Sequence, residues 1–372
     1  MLNNKVLVGI AALLVVAIAI FFVLYNHILR TDQGKTRPIL IGAVLPLTGP
    51  AASIGKAAAN GLQLCMEEFN SQGGIQGRQI ELLIEDGGGD PKTSISAYRK
   101  LIDVHGVKFI ITTLSSVSMS LSPLAEREKI ILFADAAHPD ITKGRAYVFR
   151  HSNVADQEAS AILSHLALIN AHARVATLVV HDDYGNAIAS SVQHQIVNSR
   201  DGLILVAAET YPNTETDFRS HIARLTAANP DCIVIGGLST SMGLAIRRLR
   251  EQGFVGTIYV TLPFVLLPDG IAAAGSAIHG VYYNTFAFQE SALIAKLEQE
   301  YTKRFHEKMP VSAVIEYNTM QLLLYAIEQV SYDTARVDSF LRSLKTFNAV
   351  GESIILNADG DAASPIVVNQ FE

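Results

Sequence analysis

Residues 112–123, TTLSSVSMSLSP, carry two threonines and five serines between the apolar run VKFII and the charged run LAEREK. Hydroxyls crowded in this way can do three things. One could be a nucleophile, but acyl-transfer serines of α/β enzymes sit on a GxSxG elbow; the nearest run here, GGLST at residues 236–240, lacks the closing glycine. A hydrolase would also need a histidine base and an orienting acid, which no spacing in this chain specifies. The hydroxyls could instead cradle an anion, because free backbone N–H groups and the positive end of the macrodipole favour negative charge at a helix start. Or they could simply cap that helix, with Pro123 tolerated in its first turn. Capping accounts for Ser118, Ser120 and Ser122 and leaves Ser115 and Ser116, nearest the preceding strand, as the ligand candidates.

The run ADAAHPD ends the next strand and should lie beside the serines. Its small Ala136 and Ala137 would let a ligand approach the backbone, while His138 could donate to an anion or stand merely as a surface histidine before a proline. Tyr184 in HDDYG could close on the ligand from a second lobe, or pack on its neighbouring glycine. Neither GxxxxGK[ST] nor GxGxxG occurs, and the glycine-rich EDGGGDP is flanked by acids that repel phosphate, so no nucleotide is expected. HxxxH, HExxH and CxxC spacings are absent too, and neither a metal nor another cofactor is expected.

Such residues need elements to hold them, and from Ile39 a regular alternation supplies these. ILIGAV reads as a strand, GKAAANGLQLCMEEFNS as an amphipathic helix, RQIELLIE as a strand and KTSISAYRKLIDVHG as a helix. VKFIITT, a helix ending near Lys129, and IILFA follow. A second set of the same kind begins near Asp156, with strands at RVATLVVHD, LILVAAE, DCIVIGG and TIYVT. Strands separated by helices imply right-handed crossovers and parallel sheets covered on both faces. The fold class is therefore α/β, with two doubly wound lobes. Sheets of this kind bind ligands outside the carboxyl ends of their strands, which names five loops: PLTGPAASIG, SSVSMS, DAAHPD, HDDYG and GGLSTS. Two later helices, ALIAKLEQEYTKRFHEK and VIEYNTMQLLLYAIEQV, must pack somewhere on this body, and SIILNADGDAASPIVVNQF reads as a hairpin around residues 357–361.

The bulk numbers agree with two lobes: 372 residues exceed what one core usually organises, and 49% hydrophobic with 17% charged residues is a globular composition. A net charge of -6 without a concentrated basic face argues against nucleic acid. Cys65 and Cys232 sit in apolar helical and strand patterns and read as buried free thiols. Residues 6–24 carry no charge and match the ~20 residues of a membrane span. No small-x-small cleavage site follows, so residues 1–30 read as an uncleaved signal anchor, with a cleaved signal peptide as the alternative, and residues 31–37 as a linker. Flanking charges lean against exporting the body.

From about Ile39 to Phe371 the sequence resembles the type I periplasmic solute-binding proteins of ABC importers, in their branched-chain amino-acid-binding branch. The resemblance rests on IGAVLPLTGPAASIG, EEFNSQGGIQGRQIELLIEDGGGDP, HDDYG, DFRSHIARL, PDCIVIGG and LREQGF in that order and spacing. It implies a two-lobed clamp whose chain crosses the hinge three times, with lobe I at residues 38–154 plus 285–348 and lobe II at 155–284 plus 349–372. By position, Ser115 matches the serine that bonds the ligand carboxylate, Ala136 a backbone contact, and His138 a hydroxyl residue that helps bind that carboxylate. Tyr184 matches a second-lobe tyrosine near the amino group, and Ile54 falls where an aromatic residue often lines the pocket.

Departures from that pattern shape the expected ligand. The acid that commonly pairs with the ligand ammonium falls near Pro263, Leu238 replaces a polar or aromatic position, and the early disulfide is absent. The expected ligand is thus a carboxylate with an apolar body, or an amide, held by Ser115, His138, Ile54, Leu238 and Phe264, unless Asp135, Asp183 or Glu316 supplies the missing charge for an amino acid. The resemblance implies a non-enzymatic binding protein, a monomer or weak dimer, tethered at the outer face of the cytoplasmic membrane and serving an ABC permease. The alternative is a ligand sensor read by a separate signalling protein.

Overall fold

The computed structural model describes residues 20–22, 37–199, 201–362 and 365–372. The expected membrane anchor and linker thus lie outside the described residues, apart from 20–22 and 37; among the described residues no helix is long and apolar enough to cross a membrane.

The first half runs β1 (Ile39–Leu45), α1 (Ala52–Ser71), β2 (Ile80–Asp86), α2 (Pro91–Arg99), β3 (Phe109–Thr113), α3 (Ser115–Glu128), β4 (Ile131–Asp135) and β5 (Val148–Phe149). These five strands form one parallel sheet in the order β2-β1-β3-β4-β5. Strands β1, β3 and β4 are buried on both faces, which is why they read as continuous apolar runs without alternation. The second half continues with α4 (Ala155–Ile169), β6 (Arg174–Val180), α5 (Asp183–Asn198), β7 (Ile204–Tyr211), α6 (Arg219–Ala227), β8 (Cys232–Gly236), α7 (Ser239–Glu251) and β9 (Thr257–Val260). Two short helices, α8 (Pro263–Leu266) and α9 (Asp269–Ala274), lead to β10 (Tyr282–Phe286). The second sheet has the order β13-β10-β9-β8-β6-β7 and is parallel except for its edge strand β13 (Ile366–Gln370).

Between β10 and β13 the chain returns to the first sheet as α10 (Ala292–Phe305), α11 (Val311–Val330), α12 (Thr334–Ser343) and the hairpin β11 (Phe347–Ala349) with β12 (Glu352–Ile354). Helix α11 is buried on almost every side, so it carries apolar residues all round and packs along α1. Gly61 sets that approach: a Cβ there would stand 2.3 Å from the Ala313 carbonyl oxygen.

Three expectations change in the structure. Residues 357–361 do turn, with Asn357 N–H donating to the Asp361 carbonyl, but the antiparallel pairing around them stops at the single bridge of Leu356 with Ala362 and does not extend into paired strands. Strand β13 instead crosses to the second sheet and pairs with β10, where its backbone groups find partners. Residues 349–362, assigned from sequence to the second lobe, place Val350, Ile354 and Ala362 in the first lobe's core. The serines also differ. Helix α3 starts at Ser115, so Ser120 and Ser122 lie inside it and donate back to the carbonyls of Val117 and Ser118 (2.7 and 2.5 Å), and Pro123 is an interior residue rather than a first-turn one. Both cysteines are free and buried, in separate cores.

Candidate functional site

The carboxyl ends of the two sheets face each other, and between them lies a cavity of about 160 Å³. An apolar cavity of about 150 Å³ accepts a benzene-sized molecule, which sets the scale of what fits. All five sequence-named loops reach it: Pro50 and Ala51 after β1, Ser115 and Ser116 after β3, Ala136 and Ala137 after β4, Asp182 and Tyr184 after β6, and Gly237 and Leu238 after β8. Each sheet reverses strand order at this point, β1 against β3 and β6 against β8, where crossovers diverge and leave a crevice.

One end of the cavity is the start of α3. Leu114 takes φ 70 and ψ 134, a region costly for a residue with a side chain (about 1–3 kcal/mol), and so turns the chain sharply from strand to helix. No side chain caps α3, so the N–H groups of its first turn stay available and its dipole points at the cavity. The Ser115 hydroxyl is buried there without a hydrogen-bond partner among the described residues. Ser116 does a different job. Its Oγ accepts from the Asp183 N–H of α5 at 3.4 Å, a contact between the two halves. A second such contact is the Ser312 hydroxyl donating to the Leu266 carbonyl at 3.3 Å.

The charged part of the lining is acidic. Asp135, Asp182, Glu158 and Glu316 line the cavity, and no lysine, arginine or histidine joins them among the described residues. Four ionised carboxylates so placed would repel any anion, yet burial raises the pKa of all four. Glu158 is fully buried on α4; its Oε2 accepts from the Leu262 N–H (2.9 Å) and the Tyr184 hydroxyl (3.1 Å), and burial pushes its carboxyl up to about 7. Glu316 is held well above the carboxylate range by burial and by the facing Asp135. Asp135 in turn accepts from the His151 N–H (2.9 Å) and the Thr319 hydroxyl (2.8 Å). Burial alone would lower the His151 pKa, but Glu352, 3.0 Å from its Nε2, and Asp135 outweigh that and raise it.

Of the residues singled out from sequence, Ile54, Ser115, Ser116, Asp135, Ala136, Tyr184 and Leu238 line the cavity. His138 and Phe264 do not. The His138 ring turns back on its own loop, where Nδ1 accepts from the Asp140 N–H at 3.2 Å, because Arg150 captures the carbonyls of Ala136 and His138 (2.8 and 2.9 Å) and fixes the loop. Phe264 is fully buried in the second lobe's core against Phe371. Asp183 contributes its backbone to Ser116 rather than its carboxyl to the cavity.

The sequence reading missed Glu158, and a signal was there. It precedes Ile162 and Leu166 by one and two helical steps of four, which puts a lone acid on the buried face of α4. Its carboxyl reaches the backbone beside Pro263, the place where the resemblance left an acid missing. Asn213 and Ser312 line the cavity from a loop and a helix start that no motif marked.

A sequence profile of the periplasmic binding protein family matches residues 38–372. The Leu/Ile/Val-binding protein BraC3 of Rhizobium johnstonii is 30% identical over 223 residues, 59% of this chain and 60% of that protein's length. The fold is shared with the branched-chain amino acid transporter substrate-binding protein LivJ of Streptococcus pneumoniae, solved with isoleucine: TM-score 0.81 at 22% identity, over 90% of this chain and 96% of that one. It is shared equally with an ABC transporter solute-binding protein of R. palustris solved with benzoate: TM-score 0.81 at 19% identity, over 90% and 93% of the two chains.

Proposed function

The chain belongs to the periplasmic binding protein family, and on that premise we propose that it is the solute-binding component of an ABC importer. Its ligand is a small solute of amino-acid size with a carboxylate at one end. The single observation that carries this reading is the polarity of the cavity: an uncapped helix start with the unpartnered Ser115 hydroxyl on one side, and Glu158 with Tyr184 on another. The first end would take the carboxylate through N–H and O–H donors. Glu158 would take an amino group, replacing from α4 the acid that the chain lacks near Pro263. Ile54, Leu238 and Ile315 would cover the apolar body. Benzoate and isoleucine complexes of the structural neighbours support both a carboxylate end and an apolar body.

In this reading residues 38–154 with 285–362 form one lobe and residues 155–284 with 365–372 the other, closing on the ligand by hinge motion. The apolar run at residues 6–24 would tether the body outside the cytoplasmic membrane, and the closed form would be handed to a permease. No catalytic step is proposed.

A thermal-shift panel on the full chain tests the proposal. Leucine, isoleucine and other small amino acids, their deaminated carboxylates and their amides are compared, since a ligand that binds only the folded state raises the midpoint by mass action. Amino acids should raise it more than their deaminated analogues, and Glu158→Gln should erase that difference. No shift with any of these compounds would sink the reading.

A further inference from the structure

We propose that Leu267 is a positioning residue that sets ligand affinity without touching the ligand. The apolar segment at residues 262–267, LPFVLL, acts as a latch by which the second lobe grips the first, and Leu267 is its tip. The inference rests on the cleft reading above and deepens it, because it assigns part of the grip to residues outside the cavity.

The second lobe holds this segment firmly. Leu262 N–H donates to Glu158 Oε2 at 2.9 Å, and Phe264 is fully buried in that lobe's core. The Ser239 hydroxyl donates to the Phe264 carbonyl at 3.1 Å while its oxygen accepts from the Gly270 N–H at 2.8 Å. Pinned in this way, the segment presents its remaining apolar side chains to the first lobe. Leu267 is 7% exposed and joins Ala51, Ile54 and Ala57, at the start of α1, in one buried cluster. Leu262, Val265 and Leu266 join Ile315 and Val311 of α11 in another, beside the Ser312 hydroxyl that donates to the Leu266 carbonyl.

Both clusters exist only while the lobes are together. Parting the lobes would return these side chains to water, so their burial favours the closed form whatever ligand is inside. Ile54, Leu262 and Leu266 also line the cavity, where closure and ligand contact are mixed. Leu267 and Ala57 stand outside that lining, and Leu267 is no part of the second lobe's own core. A measured affinity contains the free energy of closing as well as the ligand's contacts, so a change at Leu267 should multiply every dissociation constant by one common factor.

Leucine, valine and isocaproate are titrated calorimetrically into the full chain and into its Leu267→Ala, Leu267→Met and Ile54→Ala variants. Leu267→Ala should weaken every binder by the same factor, about tenfold or more on the scale of one buried leucine side chain, and leave the ratios between compounds unchanged. Leu267→Met keeps an apolar side chain of similar volume and should restore most of the affinity. Ile54→Ala, in the same cluster but on the cavity wall, should change the ratios. Unchanged affinity in Leu267→Ala, or ratios that shift with it, overturns the latch and leaves the cleft reading standing. One measurement on the wild-type chain decides the matter even if a variant does not fold. The heat-capacity change of binding should be more negative than the ligand's own apolar surface accounts for, because closure buries the latch as well. A value that the ligand alone explains overturns the latch. Binding by none of the compounds overturns both readings.

Discussion

Ser115 and Glu158 are the two side chains on which the proposed ligand chemistry turns, and each makes a measurable claim. Ser115 keeps a buried hydroxyl at the start of α3 with no hydrogen-bond partner among the described residues. Replacing it with alanine should weaken a carboxylate ligand by about 1.5–3 kcal/mol, the scale of a hydrogen bond to a charged group, as read by calorimetry. Unchanged affinity would remove Ser115 from the site. Burial raises the Glu158 carboxyl from its ordinary value of 4.5 to about 7. A carboxyl whose folded pKa is raised holds its proton more tightly when folded, so its contribution is full below pH 4.5 and is lost as pH rises through 7. The ligand-free chain should therefore lose about 3 kcal/mol from this group over that window, and Glu158→Gln should flatten the fall in denaturant titrations at the two ends. An identical decline in the variant would show that Glu158 is not the group responsible. An amino-acid ligand, needing the ionised form, should bind more tightly as pH rises through the same range.

At the scale of elements, the site depends on how loops are held. The β4 loop is fixed by Arg150, which is fully buried and bonds Asp361 (2.8 Å) as well as the carbonyls of Ala136 and His138. This one guanidinium ties the loop of the first sheet to the turn that leads into β13, so truncating it leaves two carbonyls without this donor and Asp361 with only the Thr142 hydroxyl of its side-chain partners. Arg150→Ala should cost about 3–5 kcal/mol in unfolding free energy, the scale for breaking a buried pair. A loss under about 1 kcal/mol, the worth of a surface pair, would show that the contact is incidental. The helix pair α1 and α11 makes a parallel claim. Valine at Gly61 would drive its side chain into the Ala313 carbonyl, and overpacking of this kind should destabilise the chain by about 1–3 kcal/mol. A thermal midpoint equal to wild type would mean that the helices move apart at no cost. The elements themselves were largely legible. Continuous apolar strands and helical periodicities located both sheets, because period and burial are local properties of the chain. The pairing partner of β13 was not legible, since nothing in a five-residue run names the strand it joins.

The whole molecule is two sheets with their carboxyl ends opposed, joined across the cavity by Ser116 with Asp183, by Ser312 with Leu266, and by the apolar contact of Ala51, Ile54 and Ala57 with Leu267. Leu262 with Ile315 adds a further apolar contact between them, and in the proposed clamp all of these would part when the cavity empties. Small-angle scattering of the full chain should show a smaller radius of gyration with a saturating ligand than without one. A radius independent of ligand would argue for a rigid cavity and against a clamp.

The α/β class, the two doubly wound sheets, the five loops that meet and the serines at one end of the cavity were legible in the residues alone. Each of these follows from short-range pattern: periodicity sets elements, and strand ends set loops. Which carboxyls line the cavity is set by tertiary packing. Glu158 comes from a helix far in sequence from Pro263 yet places its oxygen on Leu262 N–H, and Glu316 meets Asp135 from another helix 181 positions on (316 − 135). His138 and Phe264 were lost to the site for the same reason, one turned away by Arg150 and the other drawn into a core. Side chains converge on a cavity through packing between distant segments, and that packing is a property of the folded chain rather than of any run within it.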